Sequence, residues 1–431
     1  MLSKNERIRQ SNIETRQRRA TQRCLVFSFK INEKKLSKSD FKKLEFMFVQ
    51  ARWLYNYILG LENIKACDTK NKTIYSYDKD KNKVERTLNL NSKVIQGIKQ
   101  GIEYSLKTLL TTKKKGKKVG KLKFKSDYNS IELNQYKNTH EIKEKGIRVC
   151  GFKRPLRIFG LKQIKDKKYE FANAKLVKKP TGFYIKLTCF ENLNHDRINQ
   201  VTQNQKSDVG LDFGIKTNIT TSDNEKFDIS IGESERLKGL QKKFSRQIKG
   251  SNNRNKTLRK MKVEYERLNN KKKDFGNKLV NYLCTKYHTV YMQDEMISNW
   301  KKTKRSKKSN KKLRFLSFGK EIQYSCLGYI KSKLSKQPNV VMIDRSYHTT
   351  KMCYKCGNLH QDITLNDRIF TCPHCGYSEE RDLKAAKTIL FIGQCKNTYV
   401  PVERRNTDVE KMSDFLVSYE TKKQSSVKHR S

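Results

Sequence analysis

The stretch CYKCGNLHQDITLNDRIFTCPHCGYSEERDLKAAKTI, beginning at Cys353, holds the side chains best suited to binding a metal. Cys353 and Cys356 form one pair, Cys372 and Cys375 a second, with fifteen residues between them. That is the spacing of a zinc ribbon: each pair folds into a tight knuckle, and two knuckles offer four thiolates to one tetrahedral Zn²⁺. Gly357 and Gly376 follow each pair by one residue, which suits a turn that brings backbone amides toward the sulfurs. Four protein ligands leave no open coordination position, so the expected zinc is structural. His360 and His374 read as packing or solvent-facing side chains rather than ligands.

Catalysis would have to come from acids. Asp212, in GLDFGIK, sits inside an apolar strand pattern, and a buried carboxylate is costly unless it is paired, hydrogen-bonded or metal-bound. YMQDEMI offers a second acid, Asp294 or Glu295; neighbours on a strand face opposite ways, so one of them can join Asp212. Asp382 opens the helical pattern behind the second cysteine pair, where it also reads as a helix N-cap. Acids on a strand meander, a later strand and a late helix form the constellation of ribonuclease H-like nucleases. There, carboxylates hold two Mg²⁺ ions roughly 4 Å apart against a phosphodiester.

The rest of the chain must position these groups and hold such a substrate. Its 431 residues suffice for several domains, and 96 Lys and Arg against 43 Asp and Glu give a net charge of +53. An excess of that sign, spread along the chain, points to a polyanionic partner, with nucleic acid ahead of an anionic membrane. No apolar run is long enough to span a bilayer, and the N-terminus lacks an apolar signal core, so a cytoplasmic protein with no membrane partner is expected. Apart from the two pairs, the 11 cysteines are scattered and read as small buried apolar side chains.

Residues 1–23 read as a basic flexible arm and 24–190 as a β unit with inserted helices over about 40–112. Within it, FKKLEFMFVQARWLYNYILG predicts a helix capped by Ser39 or Asp40, with Leu44, Met47, Phe48, Ala51, Leu54, Tyr55 and Ile58 as its apolar stripe. Residues 66–90 read as a loop, and 191–206 as a polar linker. VGLDFGIKTNITTSDNEKFDIS predicts a three-stranded meander, and residues 237–282, whose near-heptad apolar pattern is interrupted at Lys272, an antiparallel helical hairpin. Two lysine-rich loops are candidate phosphate contacts: Lys113, Lys114, Lys115, Lys117, Lys118, Lys121, Lys123 and Lys125 in one, and Lys304, Arg305, Lys307 and Lys308 in the other.

The order GLDFGIK, YMQDEMISNW, CYKC…CPHC and ERDLKAAKTI resembles the TnpB proteins of insertion sequences, RNA-guided DNA nucleases related to compact type V CRISPR effectors. The resemblance extends to FMFVQARWLYNYIL, KLKFKSDYNS and VPVERR, and so over most of the chain. It implies an α/β multidomain fold, in which a ribonuclease H-like (RuvC) domain carries the zinc ribbon as an insertion. A β-barrel with an inserted helical bundle would precede it and grip guide RNA and double-stranded target DNA. The nuclease domain would take residues 207–352 and a last helix, 377–397, around a ribbon at 353–376, with a polar tail at 398–431. Asp212, a middle glutamate and Asp382 would be the Mg²⁺ ligands.

Two positions depart from the pattern. Where the family commonly has Glu-Asp-Leu, this chain has Gln293-Asp294-Glu295, so Glu295, on the same side of a continuing strand as Gln293, is expected ahead of Asp294. Where the family has D-x-N-A-A, this chain has Lys384, which could pair with phosphate or weaken metal binding. The expected activity is hydrolysis of target DNA to a 5′ phosphate and a 3′ hydroxyl. A compact CRISPR effector and a non-cleaving DNA-binding repressor are the alternatives.

Overall fold

The structure, a computed structural model, describes residues 3–78, 82–165, 168–192, 207–301, 318–360, 363 and 367–397. The linker at 193–206, the basic loop with Lys304, Arg305, Lys307 and Lys308, and the tail from 398 lie outside the described residues. The chain divides into two compact units, Met1–Asn194 and His195–Ser431.

The first unit opens with helix α1 (Lys4–Ala20), where a flexible arm was expected. Two devices, one local and one distant in sequence, hold it. Ser3 and Glu6 close a reciprocal capping box at its start. At its end Arg18 and Arg19 both reach Glu170, and the Arg19 guanidinium lies 4.3 Å from the Phe190 ring centre. Strand β1 (Gln22–Lys30) follows, then α2 (Lys38–Gly60), which is capped by Ser37, accepting from the Asp40 amide, and not by Ser39 or Asp40. Its expected stripe, from Leu44 to Ile58, is buried throughout.

The segment read as a loop contains a hairpin, β2 (Thr73–Tyr77) and β3 (Lys83–Thr87). Helix α3 (Ser92–Lys114), capped by Asn91, precedes β4 (Ser130–Leu133), the small hairpin β5 (His140–Lys143) and β6 (Gly146–Val149), and a single turn α4 (Lys162–Lys165). The long strands β7 (Glu170–Lys179) and β8 (Gly182–Asn192) complete the unit. The expected barrel is not formed among the described residues. The sheet is open, in the order β1-β8-β7-β4, and β5–β6 pair separately. Short β4 leaves an edge that α2 and α3 cover instead of a closing strand, and the apolar residues of these helices join one core with Ile131, Leu176 and Ile185.

The second unit begins with the expected meander, β9 (Val209–Phe213), β10 (Ile219–Thr221) and β11 (Lys226–Phe227). The helical hairpin is α5 (Glu235–Arg246) and α6 (Asn252–Lys286), packed through Leu237, Met261 and Leu268. Helix α6 is not interrupted at Lys272: the side chain is buried and its ammonium donates to the Gln323 carbonyl. Strand β12 (Val290–Gln293), α7 (Gly319–Ser325), α8 (Leu327–Leu334) and β13 (Val340–Ile343) follow. Next come the ribbon strands β14 (Ile369–Thr371) and β15 (Ser378–Glu380), and α9 (Arg381–Asn397). The ribbon hairpin thus runs to Glu380, and the last helix starts four residues later than expected.

The sheet order is β11-β10-β9-β12-β13. The meander pairs are antiparallel, whereas β12 runs parallel to both β9 and β13. Alternation along the strands separates two faces. Val209, Leu211, Val290 and Met292 face a core shared with Leu279, Leu283, Leu327 and Ile330, from α6 and α8. On the other face Tyr291 and Ile343 pack with Ile389 and Ile392 of α9. No helix among the described residues is long and apolar enough to cross a membrane.

Candidate functional site

Gly210 decides how closely α9 approaches the sheet. A Cβ there would collide with the Ala386 carbonyl and the Leu390 amide, so only glycine lets the strand meet the helix backbone. Asp212, two residues on, therefore emerges on the same face of β9, beside the first turn of α9. Asp382 is the second residue of that helix, inside it rather than capping it, and the Arg381 guanidinium lies 3.3 Å from its Oδ1.

Strand β12 ends at Gln293, so the alternation that placed Glu295 does not continue to it. The Glu295 amide donates to the Gln293 carbonyl at 2.8 Å, a tight turn that swings the chain off the sheet. Asp294 points to solvent, where it pairs with Lys331. Glu295 is half-buried, and its carboxyl is pushed up by burial, with Lys331 opposing.

Asp212 feels both other acids. Burial, then the Asp382 and Glu295 charges, push its carboxyl up to about 8 against the cations Arg381 and Lys384. Although Asp212 keeps some exposed surface, the surrounding protein displaces most of its hydration. Asp212 thus lies within electrostatic reach of both Asp382 and Glu295.

The four cysteines converge more tightly. All four sulfurs lie within 4.8 Å of one another. Cys353 and Cys375 Sγ are 3.8 Å apart and Cys356 and Cys372 Sγ 3.5 Å, whereas tetrahedral Zn–S bonds set an S···S edge of about 3.8 Å. Each knuckle closes as expected: Gly357 and Gly376, both at positive φ, donate to the Cys353 and Cys372 carbonyls. Burial pushes the Cys356 thiol up to about 12. Against the burial that opposes it, Cys372 falls to about 6, drawn down by the Cys375 amide and the His360 ring. His360 packs edge-on against Phe370 and His374 is exposed, so neither completes the cluster. The donor set fits a structural Zn²⁺.

Two residues that the sequence flagged only as departures have defined structural partners. Gln293 lies one residue past the Met292–Leu211 pair, beside Asp212 on the α9 face. Its Nε2 donates to the Tyr347 and Asp344 carbonyls at 2.7 and 3.3 Å, and its Oε1 accepts from Thr349 Oγ1 at 3.1 Å. Lys384 is fully buried. Its Nζ donates to the carbonyls of Thr349, Thr350 and Met352 at 3.1, 2.6 and 3.0 Å and lies 3.9 Å from the Phe370 ring centre. Burial lowers this ammonium to about 8, with Cys353 and Asp212 opposing the fall. A lysine with all three protons committed indoors cannot also hold a phosphate.

In the first unit, Lys113, Lys114, Lys115, Lys117, Lys118, Lys121, Lys123 and Lys125 are all exposed. Asn56 and Arg52 of α2 pin their loop through the Lys125 and Ser126 backbones. The Lys125 ammonium turns inward, 3.9 Å from the Tyr55 ring centre. A cleft of about 930 Å³ lies here, lined among others by Trp53, Tyr77, Arg86 and Phe124.

Residues 189–312 match the family model described as "Probable transposase", and residues 324–389 that of the Cas12f1-like TNB domain. A Streptomyces pristinaespiralis protein, provisionally described as an RNA-guided DNA endonuclease, is 31% identical over 188 residues, 43% of this chain and 45% of its own. An Escherichia coli K12 protein, provisionally described as the RNA-guided DNA endonuclease InsQ, is 26% identical over 198 residues, 43% of this chain and 48% of its own. The chain thus matches about half the length of these relatives. Among solved structures, a Cas12f1 complex with sgRNA and target DNA aligns at a TM-score of 0.45 and 13% identity, over 86% of this chain and 99% of that one. CasPhi-2 bound to crRNA aligns at 0.39 and 11%, over 89% and 99%. By its two matched segments, 189–312 and 324–389, the chain is similar to the TnpB proteins of insertion sequences, as its motifs led us to expect.

Proposed function

We propose that this protein is an RNA-guided DNA endonuclease with a ribonuclease H-like (RuvC) active site. Asp212, Glu295 and Asp382 would be its Mg²⁺ ligands and Cys353, Cys356, Cys372 and Cys375 its structural Zn²⁺ ligands. The observation that carries the reading is the placement of Asp212 on β9, within reach of the Asp382 and Glu295 charges, where β9, the end of β12 and the start of α9 meet; burial and then those two charges push its carboxyl up to about 8. The sheet order, with its antiparallel meander and two parallel strands, supports the ribonuclease H-like assignment. The names of the two relatives support guide RNA and target DNA as partners.

Two bound Mg²⁺ ions would activate a water and stabilise the leaving 3′ oxygen. The acids' part is to be ionised together, at a cost that only a cation offsets, and so to make the site selective for a loaded state. Arg381, held beside Asp382, limits that cost. Lysines 113–123 are placed to neutralise backbone phosphates, and the aromatic and cationic side chains of the neighbouring cleft suit unstacked bases.

The test is plasmid cleavage in Mg²⁺ by protein co-purified with its own RNA, the bound RNA being sequenced to supply the matched target. The wild type is expected to cut, and Asp212→Ala and Asp382→Ala to bind without cutting. Variants that cut as well as the wild type would sink the active-site assignment. A wild type that binds a matched target and never cuts would establish a repressor instead.

A further inference from the structure

The segment 344–352 leaves β13 and enters the first cysteine knuckle. It is fastened from two sides by the residues that depart from the family pattern. Gln293, on the Asp212 face of the sheet, holds its first half through the Asp344 and Tyr347 carbonyls. Lys384, two residues after Asp382, holds its second half through three carbonyls. Thr349 belongs to both ends: its hydroxyl donates to Gln293 and its carbonyl accepts from Lys384. The same ammonium lies against Phe370, in the ribbon between the two cysteine pairs, and within electrostatic reach of Cys353, Cys372 and Asp212.

We propose that Gln293 and Lys384 are positioning residues that clamp the 344–352 segment, and through Phe370 the zinc ribbon, onto β12, the strand next to Asp212, and the helix bearing Asp382. Zinc retention and cation binding at the acids are thereby coupled. The inference rests on the nuclease reading for the identity of the acid site, but not for the clamp itself. An ammonium with three carbonyl acceptors cannot shift without leaving all three unpaired, so it transmits position rather than merely filling space. A shorter asparagine, as in the family pattern, could not span the same three acceptors.

The experiment uses the full chain with its bound RNA and two metal readouts that require no cleavage. One is the rate of zinc loss to a colorimetric chelator; the other is Mn²⁺ binding at the acids, followed by electron paramagnetic resonance. Lys384→Met keeps the stem and removes the ammonium. It is expected to lose zinc about tenfold faster and to bind Mn²⁺ about tenfold more weakly, the size found for other outer-shell metal-site partners. Phe370→Leu, which leaves the carbonyl bonds in place, should move both readouts the same way by a smaller factor. If Lys384→Met does not fold, Thr349→Val removes the hydroxyl bond to Gln293, one of the bonds that join the two sides, and should shift both readouts about threefold. A variant that lowers the melting temperature while both readouts stay within about twofold of wild type would overturn the clamp. A wild type that failed to cut DNA would overturn the nuclease reading, and the clamp would still stand or fall on the metal readouts.

Discussion

The two candidate metal sites of the second unit differ in how far the chain alone assembles them. The four cysteine sulfurs already lie at nearly the separations that zinc requires, because each knuckle is closed by its own backbone. The three acids come from a strand, a post-strand turn and a helix start, and burial together with the other two charges raises Asp212. Local geometry builds the first site, and a metal would lock what is present. Long-range packing builds the second, and it stores repulsion that only a cation relieves. A structural site can be prepaid by short-range turns, whereas an active site must remain unsatisfied to stay reactive.

Neutralising an acid should break this contrast most severely. Asp212→Asn is expected to reduce cleavage on the order of a thousandfold while guide and target binding persist, measured as single-turnover cutting at saturating Mg²⁺. Cys372→Ser attacks the other site. Zinc content should fall to near zero, and the melting temperature should drop by roughly 5–10 °C.

The pH dependence sharpens the comparison without any metal. Because Asp212 is raised in the folded state, its contribution to stability is fully present below the ordinary carboxylate range and is lost as pH rises toward about 8. Metal-free protein should therefore become easier to denature across that window. Asp212→Asn should remove this part of the slope, matching wild type near the acid end and exceeding it at pH 8. Parallel pH profiles for the two proteins in chelator would refute the assignment.

Smaller effects separate Gln293 from its neighbour. Gln293→Glu, which restores the family's residue type, should not raise cleavage. Its carboxylate would face the Asp344 and Tyr347 carbonyls, costing about 1–3 kcal/mol in denaturant unfolding. Asp294→Asn should change stability by less than about 1 kcal/mol, because its pair with Lys331 is exposed at the Asp294 end.

Legibility followed the range of the interactions. The cysteine spacing, the α2 stripe and the meander could be read because knuckles, helical periodicity and tight turns are set within a few residues. The hairpin at 73–87 was missed because a lysine- and asparagine-rich composition resembles a loop, although Ile74 and Val84 each stand between residues that face the other way. Helix α1 was missed because its support is distant: Glu170 and Phe190 are remote in sequence from Arg18 and Arg19. The barrel was an expectation of resemblance, and the strand pairing replaced it with an open sheet. Glu295 comes within electrostatic reach of Asp212, but by a turn after β12 rather than by strand alternation.

By itself, the sequence determined a basic chain with a preformed four-thiolate centre and acids at three separated places. It did so because ligand spacing and charge are properties of residue type and order. Tertiary structure alone decided that Gly210 admits α9 to the sheet, that Asp294 turns outward, and that Lys384 is buried on three carbonyls instead of facing phosphate. Each of those outcomes depends on desolvation and on acceptors supplied by other segments, which no local pattern encodes.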